Sequence, residues 1–131
     1  MSPTLQSKIE RIIQSNKHKV KSRHIHFSFF VKRNRIICYG FNKVFFTHPL
    51  SARFQTRFND IHSELAAISR FPYRIRELKD YDLINVRVRR DNNKFALARP
   101  CSKCIKMLLN FGIYEVSYSN EIGGFSHERI S

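Results

Sequence analysis

Acidic side chains are scarce in this chain: its 131 residues hold 10 Asp and Glu against 24 Lys and Arg, a formal net charge of +14. Such a surplus repels itself and costs stability, so a polyanionic partner is expected, with a merely solvated basic surface as the plain alternative. Cysteine is scarce too. Three residues exclude a disulfide framework and fit a reducing, cytoplasmic setting. No apolar run approaches the roughly 20 residues of a membrane-spanning helix, and Met1 to Arg11 is polar and includes Glu10, unlike a signal peptide. No membrane partner is expected. Internal repeats and low-complexity stretches are also missing. The length suits a single domain, residues 1–131, able to bury a core but too short for a second one.

The positive charge is uneven. Residues 1–60 carry 12 basic and 2 acidic side chains, whereas residues 61–131 carry 12 and 8. Lys17, Lys19, Lys21, Arg23, Lys32 and Arg33 are the expected contacts to a single-stranded phosphate backbone. Tryptophan is absent, but 12 Phe and 5 Tyr offer stacking platforms for bases, although most of them belong to the core.

Periodicity predicts the order α-β-β-α-β-α-β. Ser2 and Pro3 start a helix that buries Leu5, Ile9, Ile12 and Ile13 and ends near Asn16. Phe27, Phe29 and Val31 alternate as a strand, Lys32-Arg33-Asn34 turns, and Ile36 to Phe41 returns. Thr47 to Asn59 reads as loop. A helix follows through Leu65, Ala66 and Ile68 and breaks before Pro72. Val86 and Val88 mark a strand with a basic face at Arg87 and Arg89. Cys101 to Phe111 reads as a helix capped by Gly112, and Tyr114 to Ser119 and Phe125 to Ile130 as strands. The fold class is therefore α/β: a three-layer α/β/α sandwich around a mixed sheet of about five strands.

The chemistry lies in two short motifs. His62-Ser63-Glu64 stands in one helix, and Pro100-Cys101-Ser102-Lys103-Cys104 opens another, with 35 residues between Glu64 and Pro100. One imidazole and two thiolates supply three ligands to a tetrahedral zinc ion, one per chain, and leave the fourth position for water. Pro100 suits the first positions of a helix, and Cys101 and Cys104 at i, i+3 share a side of it, near the positive end of its dipole. His62 and Glu64 lie about 200° apart if both are helical, so their side chains must converge from the helix end. Glu64 is then the catalytic proton carrier. A closed structural site would want a fourth ligand, and the remaining cysteine, Cys38, sits in an apolar run that reads as core.

His-x-Glu followed by Pro-Cys-x-x-Cys resembles the zinc-dependent cytidine and deoxycytidylate deaminase superfamily, including its small phage-encoded members. The resemblance covers roughly residues 35 to 125 and includes Gly40-Phe41-Asn42 and the run from Ala98 through Ser119. It implies a cytidine deaminase-like fold and conversion of cytosine to uracil and ammonia, with zinc held by His62, Cys101 and Cys104. It also implies that Asn42 contacts ribose; the further expected substrate contacts are Thr47 and His48 in the loop before the zinc helix, Ser63 and Pro100 beside the ligands, and Tyr118 at a strand end. Bland roles stand beside these: a turn for Asn42, a solvated loop for His48, and core burial for Tyr118. Two departures are Ser63 in place of the usual small apolar residue, and Arg99 before Pro100.

The charge of +14 favours cytosine in single-stranded DNA or RNA as substrate, with free deoxycytidylate or cytidine nucleotide close behind. Adenosine in tRNA is a third enzymatic option. A zinc-stabilised nucleic-acid-binding module without turnover is the non-enzymatic one, against which Glu64 argues, because a structural site has no use for that carboxylate.

Overall fold

Helix α1 (Pro3–Asn16) begins where the Ser2 hydroxyl accepts a hydrogen bond from the Leu5 N–H at 3.1 Å, with Pro3 at a position whose missing N–H costs nothing. Its buried stripe is Leu5, Ile9 and Ile13, flanked by the half-buried Ile12. The chain is seen in a computed structural model that describes residues 1–44 and 60–131. A short 3-10 turn (Lys17–Lys19) leads to the hairpin of β1 (Ile25–Lys32) and β2 (Arg35–Phe41). Its two turn residues, Arg33 and Asn34, have φ of 51° and 61°, the left-handed pair that matches the twist of adjacent strands.

Two-residue strands β3 (Lys43–Val44) and β4 (Asp60–Ile61) pair with each other and lead into α2 (Ser63–Ser69). A 3-10 segment (Ile75–Asp80) precedes β5 (Asp82–Val88), and β6 (Phe95–Ala96) folds back on it. Helix α3 (Ser102–Asn110), β7 (Glu115–Ser119) and β8 (Phe125–Arg129) complete the described elements. The sheet runs β2-β1-β5-β7-β8, with β6 attached to β5. Strands β5 and β7 are parallel and every other pairing is antiparallel. The sheet thus has six strands where about five were expected, because a strand of two residues leaves no alternation to read.

Strand β1 is buried on both faces. Phe27, Phe29 and Val31 join α1 and Val86 in one core, while Phe30 joins α2, α3 and Leu83 in the other. Helices on both faces make the expected three-layer α/β/α arrangement. Helix α2 lies directly on β2 at Gly40, where an added Cβ would stand 2.5 Å from the Ala66 carbonyl carbon and also collide with Ala67 N. Only glycine lets the two backbones approach so closely.

Candidate metal centre

Both motifs sit at helix starts, and in each a metal-ligating side chain occupies the N-cap. His62 caps α2 with extended backbone (φ −71°, ψ 155°), and Cys101 caps α3 likewise (φ −69°, ψ 165°), its sulfur accepting from the Cys104 N–H at 3.4 Å. This resolves the angular conflict between His62 and Glu64: the histidine stands off the helix, so its ring need not follow helical periodicity. It also corrects the expected place of Pro100. The helix starts at Ser102, and buried Pro100 lies before the cap in the extended approach, because Cys101 must leave helical geometry to aim its sulfur.

His62 Nδ1 lies 3.1 Å from Cys104 Sγ and 3.8 Å from Cys101 Sγ, and the three ligand atoms all fall within 4.8 Å of one another. Tetrahedral zinc, with bonds of about 2.0 Å to nitrogen and 2.3 Å to sulfur, separates such atoms by about 3.6 Å. The observed distances bracket that value, and one nitrogen with two sulfurs is a donor set zinc favours. The chain therefore holds His62, Cys101 and Cys104 in place to bind zinc. Hydrogen bonding between the two sulfurs holds the Cys101 thiol down, at about 3, with His62 assisting. The same bond, together with burial, pushes the Cys104 thiol up. Zinc binds both as thiolates and releases that proton. Half-buried Cys38 stays apart, its sulfur donating to the Ala67 carbonyl at 3.5 Å, and the burial that raises its thiol to about 11 keeps it protonated.

Glu64 is 5 % exposed and fully tied down. Asn85 Nδ2 donates to its Oε2 at 3.0 Å, and Ser63 Oγ donates to its Oε1 at 3.2 Å. The Ser28 hydroxyl lies 2.8 Å from Ser63 Oγ and 2.7 Å from Asn85 Oδ1, and its one proton is donated to either of them. Burial pushes the Glu64 carboxyl up, and the Asn85 hydrogen bond opposes it. Asn85 also makes a long contact, 3.5 Å, to the Ala98 carbonyl on the approach to Cys101. Ser28 and Asn85 were absent from the expected site. Their signal was a polar residue inside each of two apolar strands, Phe27-Ser28-Phe29 and Ile84-Asn85-Val86.

The remaining expected residues are more dispersed. Asn42 Oδ1 accepts from the His26 N–H at 2.9 Å and its Nδ2 donates to the His24 carbonyl at 2.8 Å, so its amide clamps the start of β1. Tyr118 is buried and donates to Glu128 Oε1 at 2.8 Å; Arg99 grips the same carboxylate at 2.7 and 2.9 Å and holds it down, at about 2. Thr47 and His48, and the loop expected over Thr47 to Asn59, lie outside the described residues. Lys17 donates to Asn93 Oδ1 at 2.6 Å; Lys19, Lys21, Arg23, Lys32 and Arg33 are exposed, with Lys32 over the Tyr81 ring.

The profile of the cytidine and deoxycytidylate deaminase zinc-binding region matches residues 5–120. The chain belongs to this family. Its members are zinc-dependent hydrolytic deaminases, and this chain brings together the ligand set for the zinc. No curated protein matches the chain by sequence. Among solved structures, the dCMP deaminase of cyanophage S-TIM5 in complex with dCMP and dUMP is similar, with a TM-score of 0.57 and 17% identity over 92% of this chain and 84% of that one. Its apo form aligns with the same score and identity, over 92% and 86%. The likeness shows that the fold is the cytidine deaminase-like one. Among the described residues no helix is long and apolar enough to cross a membrane.

Proposed function

We propose that the protein deaminates cytosine hydrolytically at C4, with a deoxycytidine nucleotide such as dCMP as substrate. The observation that carries this reading is the convergence of His62, Cys101 and Cys104 within 4.8 Å, with His62 capping the helix whose first turn holds buried Glu64. The similar phage enzyme, whose crystals hold dCMP and dUMP, supports the choice of a nucleotide.

When bound, zinc supplies the Lewis acidity that makes water a nucleophile at neutral pH. Glu64 accepts the proton of the water that attacks C4. It passes that proton to N3, then takes the second water-derived proton from the new C4 hydroxyl and delivers it to the departing amine as the C4–N4 bond breaks, so cytosine and water become uracil and ammonia. Asn85 and Ser63 hold the carboxylate during both transfers. Burial keeps bulk water away from it.

Single-stranded polynucleotide is the second reading, favoured by the charge of +14. The six basic side chains offered for it divide into two groups, however. Lys17 to Arg23 precede β1, whereas Lys32 closes its other end and Arg33 follows, about 23 Å away at 3.3 Å per residue. Offering the zinc-loaded protein dCMP, cytidine, oligo-dC and oligo-C side by side, and measuring uracil release, tests both readings. dCMP should be turned over best, and Glu64→Gln should keep zinc while turnover falls by roughly 10²- to 10⁴-fold. Turnover of oligo-dC without dCMP would install the second reading. An undiminished Glu64→Gln enzyme would remove Glu64 from the reaction.

A further inference from the structure

We propose that Arg87, His24 and His26 form a phosphate-binding subsite beside the metal centre, which receives the substrate's 5′-phosphate. The inference deepens the nucleotide reading above and rests on it. Its starting point is strand register. Ser28 and Asn85, the rung that carries the Glu64 network, face each other across β1 and β5, and the next rung on the same face pairs His26 with Arg87. Successive same-face rungs lie about 7 Å apart. A nucleotide whose base reaches Glu64 must place its phosphate a comparable step away.

The chemistry of that rung suits an anion. Arg87 Nη2 meets His24 Nδ1 at 2.8 Å, and the His24 and His26 rings stand edge to face with centroids 6.3 Å apart. Arg89 pairs with Glu121 and Arg99 with Glu128, but among the described residues no carboxylate pairs with Arg87. A half-buried guanidinium without an acid is costly unless an anion meets it. Arginine binds phosphate through two parallel N–H bonds, and neutral histidines add further donors. Burial, reinforced by Arg87, His24 and His62, holds His26 down at about 4.

The subsite is built before any ligand arrives. Arg90 Nη2 donates to the carbonyls of Val20 and Ser22 at 3.0 and 2.8 Å, and Asn42 clamps the backbone of His24 and His26. The segment that presents the two imidazoles is thus fixed from both sides, so little ordering entropy remains to oppose binding. Asn42 then serves the substrate through the backbone it holds.

The test is calorimetry on zinc-loaded protein with dUMP and deoxyuridine, product-like ligands that differ only in the phosphate. Arg87→Gln should weaken dUMP at least about tenfold, as expected for one charged hydrogen-bond pair, and deoxyuridine less than about threefold. Arg87→Lys should recover part of the loss, and exposed His24→Gln should weaken dUMP alone by a smaller factor. Thermal unfolding and zinc content identify any variant that misfolds, and His24→Gln then decides. Equal weakening of both ligands in a folded variant, or no weakening of dUMP, overturns the subsite. Turnover of dCMP on the same samples separates the two claims. Protein that binds dUMP through Arg87 but releases no ammonia from dCMP refutes the deaminase reading alone. Protein that deaminates dCMP while Arg87→Gln binds dUMP unchanged refutes the subsite alone.

Discussion

Asn85 is the residue on which both half-sites converge, since one amide holds the Glu64 carboxylate, the Ser28 hydroxyl and, more loosely, the Ala98 carbonyl. Asn85→Leu keeps the branched shape and removes every one of these contacts. It should cost about 1–3 kcal/mol of stability by stranding buried polar partners. It should also lower kcat for dCMP by roughly 10- to 100-fold, with KM within about threefold and zinc content unchanged. Steady-state kinetics beside elemental analysis checks this, and a rise in KM alone would assign Asn85 to binding. His26 gives a pH signature. A histidine depressed from 6.5 to about 4 on folding contributes stability that is complete above pH 6.5 and is lost as pH falls toward 4, because the unfolded chain binds the proton more readily. Up to about 3 kcal/mol is involved, less for the part of the ring that water reaches. Urea unfolding at pH 7.5 and 5 should therefore show a larger loss in the parent than in His26→Gln. At this scale the metal ligands were legible because spacing alone selects them. Ser28 and Asn85 were not, since a polar residue in a strand gains meaning only from what stands opposite it.

Helix α2 is positioned by an absence, the missing side chain of Gly40. Gly40→Ala should force α2 away from β2, at about 1–3 kcal/mol. His62 is the first point of that helix, so the same substitution should weaken zinc binding without touching a ligand, and competition with a chromogenic chelator reads the loss. Both long helices, the hairpin turn and strands β5, β7 and β8 were legible in the sequence, through caps, turn residues and apolar period. The N-cap role of His62 and Cys101 was not. Neither residue is an ordinary cap, and their extended backbones follow from where the metal atoms must meet rather than from local preference. Strand β6 escaped for a different reason: it exists because Arg87 and Val88 of β5 supply its partners, which no local pattern in Phe95-Ala96 announces.

Net charge was legible from composition, but its layout around the sheet was not, since only the fold separates Lys17–Arg23 from Lys32 and Arg33. If these side chains serve a polynucleotide, oligo-dC affinity should fall with salt at a log–log slope of about −0.7 per phosphate neutralised. Reversing Lys21 and Arg23 should flatten that slope more than reversing Lys32 and Arg33, because the first pair lies at the His24 end of β1; fluorescence anisotropy across a salt series measures both. Another property of the whole molecule follows from the two N-cap ligands. An ion held by His62 and Cys104 would tie together points 42 residues apart in the chain, in the manner of a removable crosslink. Folding would then obey mass action, each tenfold rise in free zinc above the dissociation constant adding about 1.4 kcal/mol. The melting temperature would be a property of the buffer as much as of the protein, and a cell short of zinc would hold less of the folded chain.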